Sequence, residues 1–184
     1  MIFHTVRVPP DTAYCAEVVV LLTTLGAKRT EYNAGKRARD LLEIKRVHHK
    51  IVDFNRDARQ AGTGEAENTA IQKLMEQDKL QTGSDEDLIL PQIFIDGHYI
   101  GNASDLQGLE DDGCLDDVLK RRRCVACNFP RTENDTSCAK CKISFEEILP
   151  GRMLIEDFLR ELMNDGDYDD DDDYDSDEDY EDGP

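Results

Sequence analysis

The sequence predicts an α/β domain, a mixed four-stranded sheet with flanking helices, followed by a small zinc knuckle or ribbon and a disordered acidic tail. Three observations carry this. EVVVLLTT (Glu17–Thr24) and KIVDF (Lys50–Phe54) are strand-like runs with a helix-like stretch between them. A proline, Pro91, directly precedes two short apolar runs joined by Asp96-Gly97. Two Cys-x-x-Cys pairs, Cys124/Cys127 and Cys138/Cys141, lie ten residues apart.

Residues 1–16 form an N-terminal extension with no clear periodicity. Glu17–Thr24 is a continuous apolar, β-branched run, the pattern of a strand buried on both faces. Leu25–Ala34 is polar, a loop or a helix start. From Gly35 to Val47, the residues Ala38, Leu41, Leu42 and Val47 recur at helical spacing. Lys50–Phe54 is the second strand, and the helical crossover between the two makes them a parallel pair. Asn68–Leu80 sets Ile71, Leu74 and Met75 on one face of a second helix. Gln92–Ile95 and His98–Ile100 form a hairpin through Asp96-Gly97, a turn that glycine enters cheaply at positive φ. Short helices follow at Ser104–Glu110 and Leu115–Lys120. The order is β-α-β-α-β-β-α.

The charge is uneven. The chain carries −19, and the 13 acidic residues from Asp165 to Asp182 leave only −6 elsewhere. That balance argues against a basic nucleic-acid surface and against docking on anionic membranes. No apolar run is long enough to span a bilayer, and the N-terminus lacks a secretory pattern. The expected setting is a reducing cytoplasm, where paired cysteines hold metal rather than form disulfides.

LPQIFIDGHYIG (Leu90–Gly101) resembles the proline-opened strand and hairpin of glutaredoxins, members of the thioredoxin fold. The resemblance implies a cis peptide before Pro91 and a glutathione-like site made by Pro91, Gly101, Asn102 and Asp105. Asn102 stands where the family has a second glycine. Helix-start N–H groups would hold the carboxylate of the tripeptide. VVVLLTTLGAKRTEYNAGKRARDLL and ASDLQGLEDDGCL, with the later cysteine pairs, are similar to the glutaredoxin domain-containing cysteine-rich proteins over Val18–Cys141. The acidic tail and KIVDF are also similar to the SH3-domain-binding glutamic-acid-rich proteins. These rank second because they lack the cysteine pairs.

A dithiol glutaredoxin carries Cys-x-x-Cys just after its first strand, where a helix N-terminus lowers the thiol pKa. This chain has Gly26-Ala27-Lys28-Arg29 there, and a later register offers Gly35. The nearest cysteines are Cys15, before the strand, and Cys114, after a distant helix. Two readings of Pro91 and Gly101 stay open: retained glutathione or peptide binding, or preservation of the fold alone.

Cys124, Cys127, Cys138 and Cys141 can converge tetrahedrally on one structural Zn2+ from two tight knuckles. The spacing also fits the Ran-binding-protein zinc finger, but that module has a Trp before its first pair and this chain has none. The surroundings are charged and loop-like, unlike the strand and helix that flank a redox pair. Lys120–Arg123 reads as a solvated linker beside the knuckle, and with Lys140 and Lys142 as a source of compensating charge for the thiolates. His48-His49 reads as a surface pair at a helix end.

The organisation expected is a glutaredoxin-like domain over 17–120, a knuckle over 121–145, an amphipathic helix over 146–164 and the tail over 165–184. The helix carries Met153, Leu154, Ile155, Phe158, Leu159, Leu162 and Met163, and packs on the body or in a partner's groove. The tail cannot bury a core. Deleting residues 167–184 is expected to leave the melting temperature almost unchanged; a fall of many degrees in a calorimetric scan would show a docked tail.

Two functions follow. The first is a noncatalytic glutaredoxin-like adaptor or regulatory protein that acts through contacts with a protein partner. The alternative is a glutathione-dependent thiol-disulfide oxidoreductase using Cys15 or Cys114. The empty thiol position favours the first.

Overall fold

The computed structural model describes residues 9–54, 74, 76–84 and 88–149. Its elements are β1 (Val18–Leu22), α1 (Arg29–Ile44), β2 (Lys50–Asp53), β3 (Gln92–Ile95), β4 (His98–Gly101), α2 (Ala103–Asp111) and α3 (Leu115–Leu119). The strands form one sheet in the order β2-β1-β3-β4. β1 runs parallel to β2 and antiparallel to β3, and β4 is antiparallel to β3. This is the mixed, thioredoxin-like sheet that the sequence predicts.

All five β1 residues are buried because both faces of the sheet are covered. Val18, Val20 and Leu22 face one way, against Ala38 and Leu42 of α1, Leu106 of α2 and Leu115 and Leu119 of α3. Val19 and Leu21 face the other way, with Val52, Phe94, Leu74 and Ile148. Each fully buried Leu or Phe contributes about 1.5–3 kcal/mol.

α1 begins at Arg29, six residues before the expected Gly35. Its core stripe includes Ala34 and Gly35, small residues that a hydrophobic pattern hides. They are small because the helix lies close on β1: a Cβ at Gly35 would sit 3.1 Å from the Leu22 Cβ. The expected helix over Asn68–Leu80 falls largely outside the described residues; Leu74 and Glu76 are helical, and Leu74 is buried. His49 is not on the surface. It is 1% exposed, and its Nδ1 lies 2.8 Å from the Val47 carbonyl as the chain turns inward to β2.

Leu90–Pro91 is cis, as the motif implies. The loop before it is fixed by Gln92, which is fully buried. Its Nε2 donates to the Gln81 and Ile89 carbonyls at 2.8 and 2.9 Å, and its Oε1 accepts the Gln81 N–H at 3.0 Å. The β3–β4 turn takes positive φ at Asp96 (46°) and Gly97 (78°). A Cβ at Gly97 would lie 2.2 Å from the Glu146 carbonyl oxygen. Gly97→Ala is therefore expected to cost more than about 1 kcal/mol in urea denaturation, from the left-handed backbone and the clash together.

Candidate metal centre and the two poles of the sheet

The strand directions sort the candidate residues into two poles. β1 ends, β3 begins and β4 ends at the same pole, because β3 alone is antiparallel to its neighbours within β1, β3 and β4. That pole gathers Pro91, Gly101, the start of α2 and the start of α1. The opposite pole gathers the head of β1 and the Asp96–Gly97 turn, to which Arg121 and Arg131 tie the cysteine-bearing segment, while Val125 and Ala126 of its first turn line a cavity with Ser104, Asp105 and Leu109 of α2.

At the first pole the loop between β1 and α1 is Thr23-Thr24-Leu25-Gly26-Ala27-Lys28, with no cysteine. Asp53, at the end of β2, secures it: its carboxylate accepts the Thr24 hydroxyl at 2.6 Å and the Thr24 N–H at 3.1 Å. Across the pole, Asn102 caps α2. Its Oδ1 accepts the Ser104 N–H at 2.7 Å, and Asp105 Oδ2 accepts the Asn102 N–H at 2.8 Å, closing a capping box. Gly101, at φ +121°, leaves room for that carboxylate; a Cβ there would sit 2.1 Å from Asp105 Oδ2. The four residues expected to make a glutathione-like site thus share one pole, and three of them build a helix cap.

Cys15 and Cys114 stand far from this pole. Cys15 precedes β1, and Val18–Leu22 alone spans about 13 Å at the usual strand rise. Cys114 follows α2, which runs back toward the opposite pole, and Asn128 of the knuckle donates to its Sγ at 3.7 Å.

The other four cysteines converge. Their sulfurs all lie within 4.8 Å of one another, positioned to bind a metal ion. Cys124 and Cys141 are 3.7 Å apart, and Cys127 and Cys138 are 3.6 Å apart. Four sulfurs held about 2.3 Å from a tetrahedral zinc would be separated by roughly 3.8 Å, so the donor set fits that geometry. None of the chain's described cysteines forms a disulfide.

The two knuckles repeat one local design. In the first, Cys124 N–H donates to the Phe129 carbonyl at 2.8 Å and Asn128 N–H to the Cys124 carbonyl at 2.9 Å. In the second, Cys138 N–H donates to Ile143 at 2.8 Å and Lys142 N–H to Cys138 at 3.0 Å. Asn128 and Lys142 occupy the same place in each turn, and both take the left-handed conformation, at φ 55° and 63°. The residues flanking each knuckle pair across it, Arg123 with Pro130 and Ser137 with Ser144. The turns aim backbone N–H groups at the sulfurs, as with Cys141 N–H on Cys138 Sγ at 3.5 Å. Without metal, burial pushes the Cys124 thiol up to about 12, while the N–H groups of Cys141 and Lys140 bring Cys138 down to about 6.

The basic run before the knuckle is a solvated linker only in part: Arg122 is exposed, while its neighbours are engaged by acidic or aromatic partners. Arg121 donates to Asp96 at 2.7 Å and to Glu147 at 3.2 Å, Arg123 pairs with Asp117 at 3.2 Å, and Lys120 lies over the Tyr14 ring at 5.3 Å. Lys120 and Arg121 meet partners far off in sequence, Tyr14, Asp96 and Glu147, whereas Arg123 pairs with the nearby Asp117.

Asp96 is the residue that sequence reasoning missed. Its side chain is 2% exposed, yet it accepts the Glu17 N–H at 3.0 Å, Arg121 through Nε and Nη2, and Arg131 Nη1 at 3.1 Å. Arg131 lies between the two cysteine pairs, is 3% exposed, and stacks on Phe145 with its guanidinium 3.5 Å from the ring centre. Asp-Gly signals a turn, and nothing local signals that the Asp side chain is buried under two arginines.

No protein-family model and no curated protein matches the chain. Solved structures that resemble it are glutaredoxins at low identity. A glutaredoxin 1 from Francisella tularensis is 16% identical with a TM-score of 0.35, covering 53% of this chain and 95% of its own. A buckwheat glutaredoxin in complex with glutathione is 19% identical with a TM-score of 0.37, covering 58% of this chain and 79% of its own. A dithiolic glutaredoxin from Trypanosoma brucei brucei is 21% identical with a TM-score of 0.37, covering 60% of this chain and 96% of its own.

Proposed function

We propose that this chain is a noncatalytic glutaredoxin-like adaptor, acting through protein contacts in the cytoplasm and carrying a structural zinc ion on Cys124, Cys127, Cys138 and Cys141. The observation that carries this reading is the cysteine-free start of α1. Thiol chemistry of the glutaredoxin type needs a cysteine at the start of α1, beside Pro91. The described residues there hold none: Cys15 precedes β1, Cys114 follows α2, and the other four cysteines are engaged with one another. A fold without its nucleophile does not keep the activity.

The cluster's donor set favours zinc, because four thiolates in tetrahedral array suit zinc or an iron–sulfur cluster and leave no coordination position open to water. Such an ion supplies folding energy and no catalytic water. The four cysteines hold it, and backbone N–H groups such as that of Cys141 offset part of the excess thiolate charge.

Glutathione binding at Pro91, Gly101, Asn102 and Asp105 is expected to be weak. The Asn102 N–H and the Asp105 carboxylate already satisfy each other, so a tripeptide must compete with an intact cap. Purification under reducing conditions with zinc supplied should yield one zinc per chain, and a mixed-disulfide assay with glutathione should show no turnover above background. Robust turnover lost in Cys15→Ser or Cys114→Ser would overturn the noncatalytic reading.

A further inference from the structure

We propose that metal occupancy of the knuckle controls the docking of residues 144–149 on the sheet, so that the strap is clipped in the metal-loaded chain and released in the metal-free one. The inference rests on the metal reading above.

The strap continues directly from the second knuckle, and two sets of contacts hold it. At its head most contacts belong to the knuckle: Ser144 pairs with Ser137, and Phe145 N–H donates to the Thr136 carbonyl at 2.8 Å, while His98 of β4 adds one contact from the body, its Nε2 lying 2.9 Å from the Ser144 carbonyl with its ring edge-on to Phe145. The Phe145 ring lies under Arg131, a residue of the loop between the cysteine pairs. At its tail the contacts belong to the body. Glu146 N–H donates to the Asp96 carbonyl at 3.2 Å, and Glu147 pairs with Arg121. The Glu17 carboxylate then accepts two successive backbone N–H groups, from Ile148 and from Leu149, the latter at 2.7 Å. Lys50 completes the clip, donating to the same Glu17 carboxylate at 3.3 Å and to the Leu149 carbonyl. Ile148 enters the core on the Phe94 face.

Between Cys124 and Cys141 only Cys124, Arg131 and Cys138 are buried and only Val125, next to Cys124, packs partly on the body's core, so the loop around Arg131 has no apolar core of its own to hold it in place without the ion. Losing the ion therefore frees Arg131 from both Asp96 and Phe145, and the strap loses the knuckle's contacts at its head, keeping those of His98. What remains is a short segment ordered by His98, Asp96, Arg121 and the Glu17 clip, against the entropy of fixing its backbone. Metal and clip act in series on one segment.

Amide hydrogen exchange on the full chain tests this, followed by NMR at Ile148 and Leu149 with zinc bound and after its removal by a chelator. Exchange at both amides should speed up at least tenfold on removal while β1 and β3 amides keep their protection. Glu17→Gln, with one zinc still bound, should speed up the same two amides. Unchanged exchange at Ile148 and Leu149, in either the chelated chain or the variant, overturns the inference. Equal loss of protection in β1 and β3 overturns it as well, since release would then be global unfolding. Metal content measured first separates the two proposals. A chain that takes up no zinc defeats the zinc reading, whereas a zinc-loaded chain with an unmoved strap defeats this inference alone.

Discussion

Cys127→Ser is expected to abolish stoichiometric metal binding and to unfold residues 124–141, with the sheet left standing. The size of the effect follows from what the knuckle lacks. Ala126, Asn128, Phe129 and Pro130 are exposed, as are Thr132–Ser137 and Ala139–Lys142, so burial contributes little there. The ion is then most of the local folding energy, about 10 kcal/mol or more on the scale of zinc-finger peptides. The sheet has its own supply. Val18, Val20, Leu22, Leu42, Ile93, Ile95 and Leu106 pack together, with Val125 the knuckle residue that touches their cluster, and only at its edge. Far-UV circular dichroism should therefore change modestly, metal content should fall from one ion to none, and amide signals of 124–141 should collapse to disordered positions. Full retention of zinc by the variant would sink the four-sulfur assignment.

Asp96→Ala is expected to destabilise the body by roughly 3–5 kcal/mol, the usual cost of stripping one partner from a buried ion cluster. The removed carboxylate leaves Arg121 and Arg131 facing each other, at 17% and 3% side-chain exposure, with Glu147 the remaining counter-charge on Arg121. It also strands the buried Glu17 N–H. A chain of this length should lose more than about 6 °C of melting temperature at that cost. Asp96→Asn keeps the shape and one acceptor but not the charge, and should fall between. A loss below about 1 kcal/mol for the alanine variant in urea denaturation would show that the two arginines find other partners.

The contrast between these two predictions shows what the sequence made legible. The metal cluster is local: four cysteines at fixed spacing carry their own geometry, and the structure brings those four sulfurs together. The sheet was legible for a similar reason, since an unbroken apolar run at Val18–Leu22 requires cover on both faces. The hairpin and the cis proline came from one short motif. Asp96 was not legible, because its partners Glu17, Arg121 and Arg131 come from three separate segments. The start of α1 was missed because Ala34 and Gly35 look polar-neutral in a pattern yet mark close helix–strand approach. His49 was misplaced because two adjacent histidines read as exposed, while the turn into β2 carries one of them inside. Short-range spacing survives in sequence; long-range pairing of charges does not.

The polar arrangement of the molecule has a consequence for genetics. Asn102 bonds Ser104 and Asp105, whereas Cys138 bonds Cys127, Cys141, Lys142 and Ile143, so substitutions such as Asn102→Ala at the capping end and Cys138→Ser at the sulfur end disturb different partners. Their effects on stability should sum to within about 0.5 kcal/mol, as unconnected sites do. Pairs drawn from one end, such as Asp96→Ala with Arg131→Met, should instead show strong epistasis, the second change relieving part of the damage done by the first.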